Sequence, residues 1–348
     1  MSERDFRRFA ALLFAFVLSV DIFALKPTWN VDFDAVFDNR EGDATYSASK
    51  TYFFTSLAPE AGLSFTTSDR IAGGAVWVQP IGCEWEGHRI SPTLYYRHDG
   101  SAVGSPWSFS IGMFSRRQMT EELPGFLWND SLTYTQRNIR GLLLQYRRDR
   151  GFAEAYVDWR GMQTRRQREA FNIVFYGRWH PRAGNPFFIG GHAMMNHLAR
   201  QENGPEDQFV VDNFVVNPYV GVDLSGRTML DSLLLRTGPL LSVERDRSRG
   251  NVWEAPVGAW VEATAEWKWL GLKNSLYFGQ RQFRSYESFS TVLYQGEPYY
   301  QAKFYDRAQV YAHLYRNRYV DLLASLDFNF AGSTFNFYQR LMVRVTLP

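Results

Sequence analysis

From Val320 to Phe330 the chain alternates between two kinds of position. Val320, Leu322, Ala324, Leu326, Phe328 and Phe330 make one set, and Asp321, Leu323, Ser325, Asp327 and Asn329 make the other. After Ala331-Gly332-Ser333-Thr334 the pattern resumes, with Leu341, Val343, Val345 and Leu347 set against Arg340, Met342, Arg344 and Thr346. Side chains of an extended strand point to opposite faces with period two, so each stretch is a strand with one greasy and one wet side. Each runs for about ten residues, the length a tilted strand needs to cross a bilayer. Strands in soluble sheets are shorter, usually about five or six residues.

The same unit recurs upstream. Ala153, Ala155, Val157 and Trp159 oppose Glu154, Tyr156 and Asp158, and Phe171, Ile173, Phe175 and Trp179 oppose Asn172, Tyr176, Arg178 and His180. The longest example sets Val257, Ala259, Val261, Ala263, Ala265 and Trp267 against Trp260, Glu262, Thr264, Glu266 and Lys268. Alternation alone also suits a soluble sandwich. Two features favour the membrane. The polar faces carry Glu, Asp, Arg and Lys along whole strands, as a wet lumen permits, and Trp and Phe collect at the ends of the apolar faces, where aromatic girdles meet headgroups.

Candidate strands number about sixteen, near 28–37, 51–65, 70–80, 91–98, 106–115, 138–147, 152–160, 171–181, 187–198, 213–224, 232–244, 253–268, 273–283, 306–316, 319–330 and 335–347, with fourteen the alternative. Short connections such as 67–69, 148–151, 182–185, 225–227 and 317–318 alternate with longer ones at 38–50, 116–137, 199–212 and 284–305. That asymmetry is the one expected of periplasmic turns and outer loops. The short turn 331–334 is the exception. The expected fold is all-β: one transmembrane, antiparallel, up-and-down barrel over 25–348, wide enough to hold an aqueous channel.

Composition is consistent with this. Aromatic residues make up 17% of the chain, yet the mean hydropathy is −0.33, because only alternate residues of such a strand face lipid. A net charge of +2 gives no footprint for a nucleic-acid partner. Arg4, Arg7 and Arg8 precede an apolar run from Phe9 to Val20, too short to span a membrane as a helix but of signal-peptide size. Residues 1–24 are therefore expected to be an export signal, and the outer membrane of a Gram-negative bacterium the destination. The one cysteine, Cys83, can form no intrachain disulfide.

With these features the chain resembles bacterial outer-membrane β-barrel proteins of the porin type, over essentially all of the mature region. Val36–Glu41, Leu57–Leu63 and Leu293–Tyr300 look like stretches of uncharacterised barrels from Bacteroides-like bacteria. The resemblance implies assembly by the barrel-assembly machinery. The ending Leu347-Pro348 departs from the terminal aromatic residue that many such barrels carry.

Strand parity turns Glu60, Arg97, Glu154, Asp158, Arg160, Arg178, Glu262, Glu266, Arg307, Asp321, Asp327, Arg340 and Arg344 toward the lumen, as candidate pore-lining residues. Routine cross-strand ion pairing is the plainer account of any one of them. Loops 116–137 (Arg116, Arg117, Glu121, Glu122, Phe126, Trp128, Asp130) and 284–305 (Tyr286, Glu287, Tyr294, Glu297, Tyr299, Tyr300) are candidates to constrict it. His192 and His197, five apart, fall on opposite faces of one strand and cannot share a metal. His180 and His313 point inward, with no serine in a recognisable motif beside them.

These residues lead to the expectation of a passive channel for small hydrophilic solutes, with membrane lipid as partner, no catalytic residues and no cofactor or metal. The expectation is thus of a protein that is not an enzyme, with homo-oligomerisation left open. Two alternatives stay open: a barrel enzyme hydrolysing lipid or peptide, and a structural or secretion-accessory barrel that binds a partner through its outer loops.

Overall fold

The computed structural model describes residues 25–83, 87–206, 208–247 and 251–348, so the expected export signal at 1–24 lies outside the described residues. The strands are β1 (Lys26–Gly42), β2 (Lys50–Ser64), β3 (Asp69–Pro80), β4 (Arg89–Asp99), β5 (Trp107–Ser115), β6 (Asn138–Arg148), β7 (Gly151–Gly161), β8 (Ala170–Trp179) and β9 (Phe187–Leu198). They continue with β10 (Val211–Asp223), β11 (Ser232–Asp246), the two-residue β12 (Trp253–Glu254), β13 (Val257–Trp267), β14 (Leu270–Gly279), β15 (Phe304–Arg316), β16 (Val320–Ala331) and β17 (Thr334–Leu347). Two short helices, α1 (Asp130–Thr135) and α2 (Tyr286–Leu293), lie in the two longest loops.

Each strand pairs antiparallel with its sequence neighbour, and β1 closes the sheet on β17, with Val31 opposite Leu347 and Gly42 opposite Asn336. Because β11 pairs with both β12 and β13, β12 is the leading fragment of one spanning strand. The result is a closed barrel of sixteen spanning strands. Closure satisfies every strand edge, which hydrocarbon requires of a sheet. No described helix is long and apolar enough to cross a membrane; the crossing elements are strands.

The alternation seen in the sequence sorts the side chains. On β16, Ser325, Asp327 and Asn329 are buried in the interior, while Leu326 and Phe330 are exposed on the outer wall. Boundaries differ by more than two residues at three places. β1 runs on to Gly42 because its upper end pairs with β17; 253–268 breaks at Ala255-Pro256, where proline lacks the N–H a ladder needs; and β14 ends at Gly279, where the chain turns into the barrel. The short β16–β17 turn is as read, with Gly332 at φ +62°, a conformation a side chain resists.

The end bearing the short turns (65–68, 149–150, 268–269, 317–319) is periplasmic, and the end bearing 43–49, 116–137, 199–210 and 280–303 is outer. On the inner wall several tyrosines lie flat over a cross-strand glycine. A Cβ at Gly258 would sit 2.3 Å from the Tyr277 ring, and one at Gly190 2.4 Å from Tyr219. These rings thicken the wall toward the centre.

The orientation can be tested by charge. Phe175, exposed at mid-height on the outer wall, should cost about 2–4 kcal/mol as Phe175→Arg in lipid vesicles. Thr264→Arg, toward the interior, should shift stability by no more than about 0.5 kcal/mol. Urea titrations of vesicle-refolded protein would measure both, and equal losses would contradict the assignment of faces.

Candidate functional site

Both long outer loops fold into the barrel. Loop 116–137 crosses the lumen from wall to wall. Arg117 forms ion pairs with Asp32 and, at 2.7 Å, with Asp34 of β1, and Arg137 pairs with the same Asp34. Arg116 pairs with Asp158 of β7, Thr120 donates to Glu154, and Glu121 meets Arg178 of β8 at 3.2 Å. Loop 280–303 packs over it. Phe126, Leu127, Tyr294, Tyr299 and Tyr300 are fully buried together with Trp260 of β13, and the Phe126 ring meets Trp260 and Tyr300 edge-on at 5.3 and 5.9 Å. This aromatic core lies inside the outer half of the lumen.

All thirteen candidate residues face the interior, and most are held in bonds. Glu60 accepts from Tyr95 at 3.0 Å, Arg97 donates to Ser110 and Gln118, and Arg160 donates to the carbonyls of Thr291 and Val292. Glu262 binds Arg236 at 2.6 Å, Glu266 accepts from Tyr311 at 2.6 Å, Asp321 faces His313 Nδ1 at 2.7 Å, and Arg344 approaches Asp34 at 3.4 Å. Below the loops a cavity of about 740 Å³ remains on the periplasmic side, lined by Asp34, Glu121, Glu122, Glu266, His313 and Arg316 among others.

The densest cluster ties α1 to the wall. Asp130 pairs with Arg307 at 2.8 Å and with Arg340 at 2.5 Å. Asp327 pairs with the same two arginines at 2.6 and 3.1 Å, and Asp38 takes Arg40 at 2.8 Å and Arg340 at 3.3 Å. Three arginines face three aspartates. The two flanking cations hold the Asp130 carboxyl well below the usual carboxylate range, outweighing its burial. Glu297, from the other loop, joins as a fourth acid and accepts the Asp130 N–H at 2.8 Å. Burial and the neighbouring Asp130 charge push it up to about 7. The loops therefore meet through a carboxyl that favours its proton.

A second arrangement lies on the outer wall. Across β7 to β11, one row near the outer rim runs Trp159, Phe171, His197, Asp212, Arg245 in register. Trp159 stacks on Phe171 at 5.1 Å and Phe171 on His197 at 4.7 Å. His197 Nδ1 lies 2.7 Å from Asp212 Oδ1, with the imidazole 22% exposed. Arg247 reaches Asp212 at 3.6 Å, and Arg245 covers the Trp253 ring at 4.6 Å. An aspartate only accepts, so Nδ1 is the donor, and in the neutral ring Nε2 is the nitrogen with a lone pair.

Strand parity put His192 and His197 on opposite faces, but it could not pair His197 with Asp212. The usable signal is His and Asp on outward positions of consecutive strands, flanking one outer loop. His192 points inward, buried beside Asn217. Among the described residues, no group of three or more His, Cys, Asp or Glu side chains is placed to hold a metal ion.

A family model described as "Lipid A 3'-O-deacylase-type" matches residues 28–346. An enzyme family over the whole barrel overturns the expectation that the chain is not an enzyme. That expectation rested on finding no Ser–His motif, and an outward His–Asp pair does not need one. No curated protein matches the chain. Among solved structures, it is similar to OprB of Pseudomonas putida (8% identity, 92% of this chain and 94% of that one, TM-score 0.54). It is also similar to the anion-selective porin of Comamonas acidovorans (9%, 93% and 100%, 0.54). OccK2 (OpdF) of Pseudomonas aeruginosa, solved in complex with glucuronate, is a third (9%, 92% and 98%, 0.52). At such identities the likeness is one of fold: an outer-membrane β-barrel of porin type.

Two outcomes test the lumen. Asp130→Ala should free loop 116–137 by leaving Arg307 and Arg340 under-compensated, a loss of about 3–5 kcal/mol, read as proteolysis within that loop. Glu297 gives a pH dependence. Its folded value lies above the ordinary 4.5, so its contribution is fully present below about 4.5 and is lost as pH rises through about 7. Cleavage in 280–303 should therefore increase between pH 5 and 8 in the wild type and less steeply in Glu297→Gln. Parallel profiles would contradict the assignment.

Proposed function

Because the chain belongs to the Lipid A 3'-O-deacylase-type family, we propose that it is an outer-membrane esterase that releases an acyl chain from lipid A at the His197–Asp212 pair. The observation that carries this reading is position. The pair lies on the outer wall near the outer rim, at the depth where the acyl esters of an outer-leaflet glycolipid lie. Two other His–Asp pairs stand among the described residues: His313–Asp321 faces the lumen, and His98–Asp69 lies at the opposite end of the barrel beside the periplasmic turn 65–68, so neither is placed at an outer-leaflet ester.

The geometry supports general-base hydrolysis. Asp212 holds the His197 ring through Nδ1, so Nε2 can take a proton from water as the water oxygen bonds to the ester carbonyl carbon. Collapse of the tetrahedral intermediate breaks the bond to the sugar oxygen, and the proton on Nε2 passes to that leaving oxygen. Arg245 and Arg247 supply positive charge beside the pair, suited to a lipid phosphate or to the developing oxyanion. Trp159 and Phe171 give the acyl carbons an apolar approach.

A second reading, passage of small hydrophilic solutes, is favoured by the charged periplasmic cavity. It needs the aromatic core of Phe126, Tyr294, Tyr299 and Tyr300 to open.

Purified barrel in vesicles containing lipid A should release free fatty acid, followed by mass spectrometry. His197→Ala should slow release by about 10²-fold or more, and Asp212→Asn should slow it by a smaller factor, with both variants keeping the folded mobility on unheated gels. Undiminished release by folded His197→Ala would sink the proposal. Stepwise ohmic current in a planar bilayer, with no release, would favour the second reading.

A further inference from the structure

The outer wall carries a concavity of about 820 Å³ between β5 and β10, on the lipid side and low on the barrel. Its floor is a row of small residues in register: Ala153 opposite Gly177, Gly177 opposite Gly191, and Gly191 opposite Pro218. This row lies two residues above the start of β7 at Gly151, about 7 Å along the strand from the periplasmic turn. Trp107, Tyr146 and Trp179 wall its lower end, with Trp107 and Tyr146 rings 4.7 Å apart and Tyr146 stacked toward Trp179 at 6.4 Å. Aromatic residues at that height mark the headgroup boundary of the periplasmic leaflet.

Directly below, the charge is positive. Arg148 ends β6 and Arg150 stands in the turn that follows it, while the next periplasmic turn carries Arg182, all exposed. Among the described residues, none of the three has an acidic partner. Arg150 donates Nε to the His180 carbonyl at 3.1 Å and rests its guanidinium on Trp179 at 5.2 Å, leaving its outer nitrogens free. Asp149 offsets one of these charges, and Arg147 is engaged inward with Glu154 at 3.2 Å. The sum is a cationic ledge under an apolar groove.

We propose that this face binds an anionic diacyl phospholipid of the periplasmic leaflet, its phosphate on Arg148, Arg150 and Arg182 and its acyl chains rising into the groove over Gly191 and Ala193. The charge complementarity favours a lipid of that leaflet over a second copy of the chain, whose paired ledges would repel each other. The site is separate from His197 and does not depend on the esterase reading.

The test is native mass spectrometry of the detergent-solubilised full chain, titrated separately with dioleoyl phosphatidylglycerol and dioleoyl phosphatidylcholine. Phosphatidylglycerol should bind at least tenfold tighter. Gly191→Phe fills the groove without a backbone clash, since a Cβ there meets Asn217 O at 3.5 Å and Pro218 Cα at 3.7 Å, both ordinary contacts, and should weaken both lipids at least tenfold. Ala193→Phe serves if that variant does not fold. The double variant Arg148→Glu, Arg150→Glu should abolish the preference and leave phosphatidylcholine binding unchanged. Equal affinity for the two lipids, indifference to the groove-filling variants, or a wild-type dimer that they split into monomers would each overturn the proposal.

Discussion

The charged interior wall is the constraint on which this barrel depends. Strands with Asp32, Asp34, Asp38, Asp158, Glu262 and Asp327 on one face cannot collapse onto an apolar core, and isolated buried charges are costly. Here the two outer loops supply what the wall lacks. Arg116, Arg117 and Arg137 answer Asp158, Asp32 and Asp34, and Asp130 completes the cluster of Arg40, Arg307 and Arg340. The loops are held by charge at their edges and by ring packing at their centre, around Phe126, Tyr300 and Trp260. Neither contact alone would fix them, because an aromatic cap without the ion pairs would leave the wall charges facing it unpaired.

With two loops packed inside the lumen, the question of function extends to the other face. What remains inside is a periplasmic vestibule whose charges are largely spoken for. What remains outside, at the outer rim, is a row that mixes aromatic rings, an imidazole, a carboxylate and guanidinium groups. Lipid-facing positions are ordinarily apolar, since a polar side chain there loses its hydration. A hydrogen-bonded His–Asp pair among Trp159 and Phe171 is tolerable only near the headgroups, which is also where an ester would be presented to it.

The alternation of Val320 to Phe330 and of Leu341 to Leu347 was enough to place strands, faces and membrane, because period two is a local property of the chain. The inward orientation of Glu154, Asp158 and Arg340 followed from the same rule. Partners were not legible. That Arg117 reaches Asp34, or that His197 meets Asp212, depends on register and on the path of loops across the barrel, which involve residues 83 and 15 positions apart. The lack of a Ser–His motif was misleading for the same reason: a motif lies along the chain, whereas in a sheet the relevant neighbours are across it.

Strand β9 shows how far that separation goes. His192 and His197 are five residues apart, so one faces in and the other out. His192 is packed against Tyr219 and Phe126 and bonded to Asn217; burial pins it as part of the inner core. His197, on the same strand, keeps Nδ1 bonded to Asp212 with its ring partly exposed on the outer face. Lower on that outward face, Gly191 and Ala193 remove side-chain bulk where Met195 and Ile189 provide it, and so shape the groove over the periplasmic leaflet. A single strand thus supports the interior packing, the outer-leaflet pair and the inner-leaflet groove. They need not interfere, because the backbone separates the two faces and six residues, about 20 Å along the strand, separate Gly191 from His197.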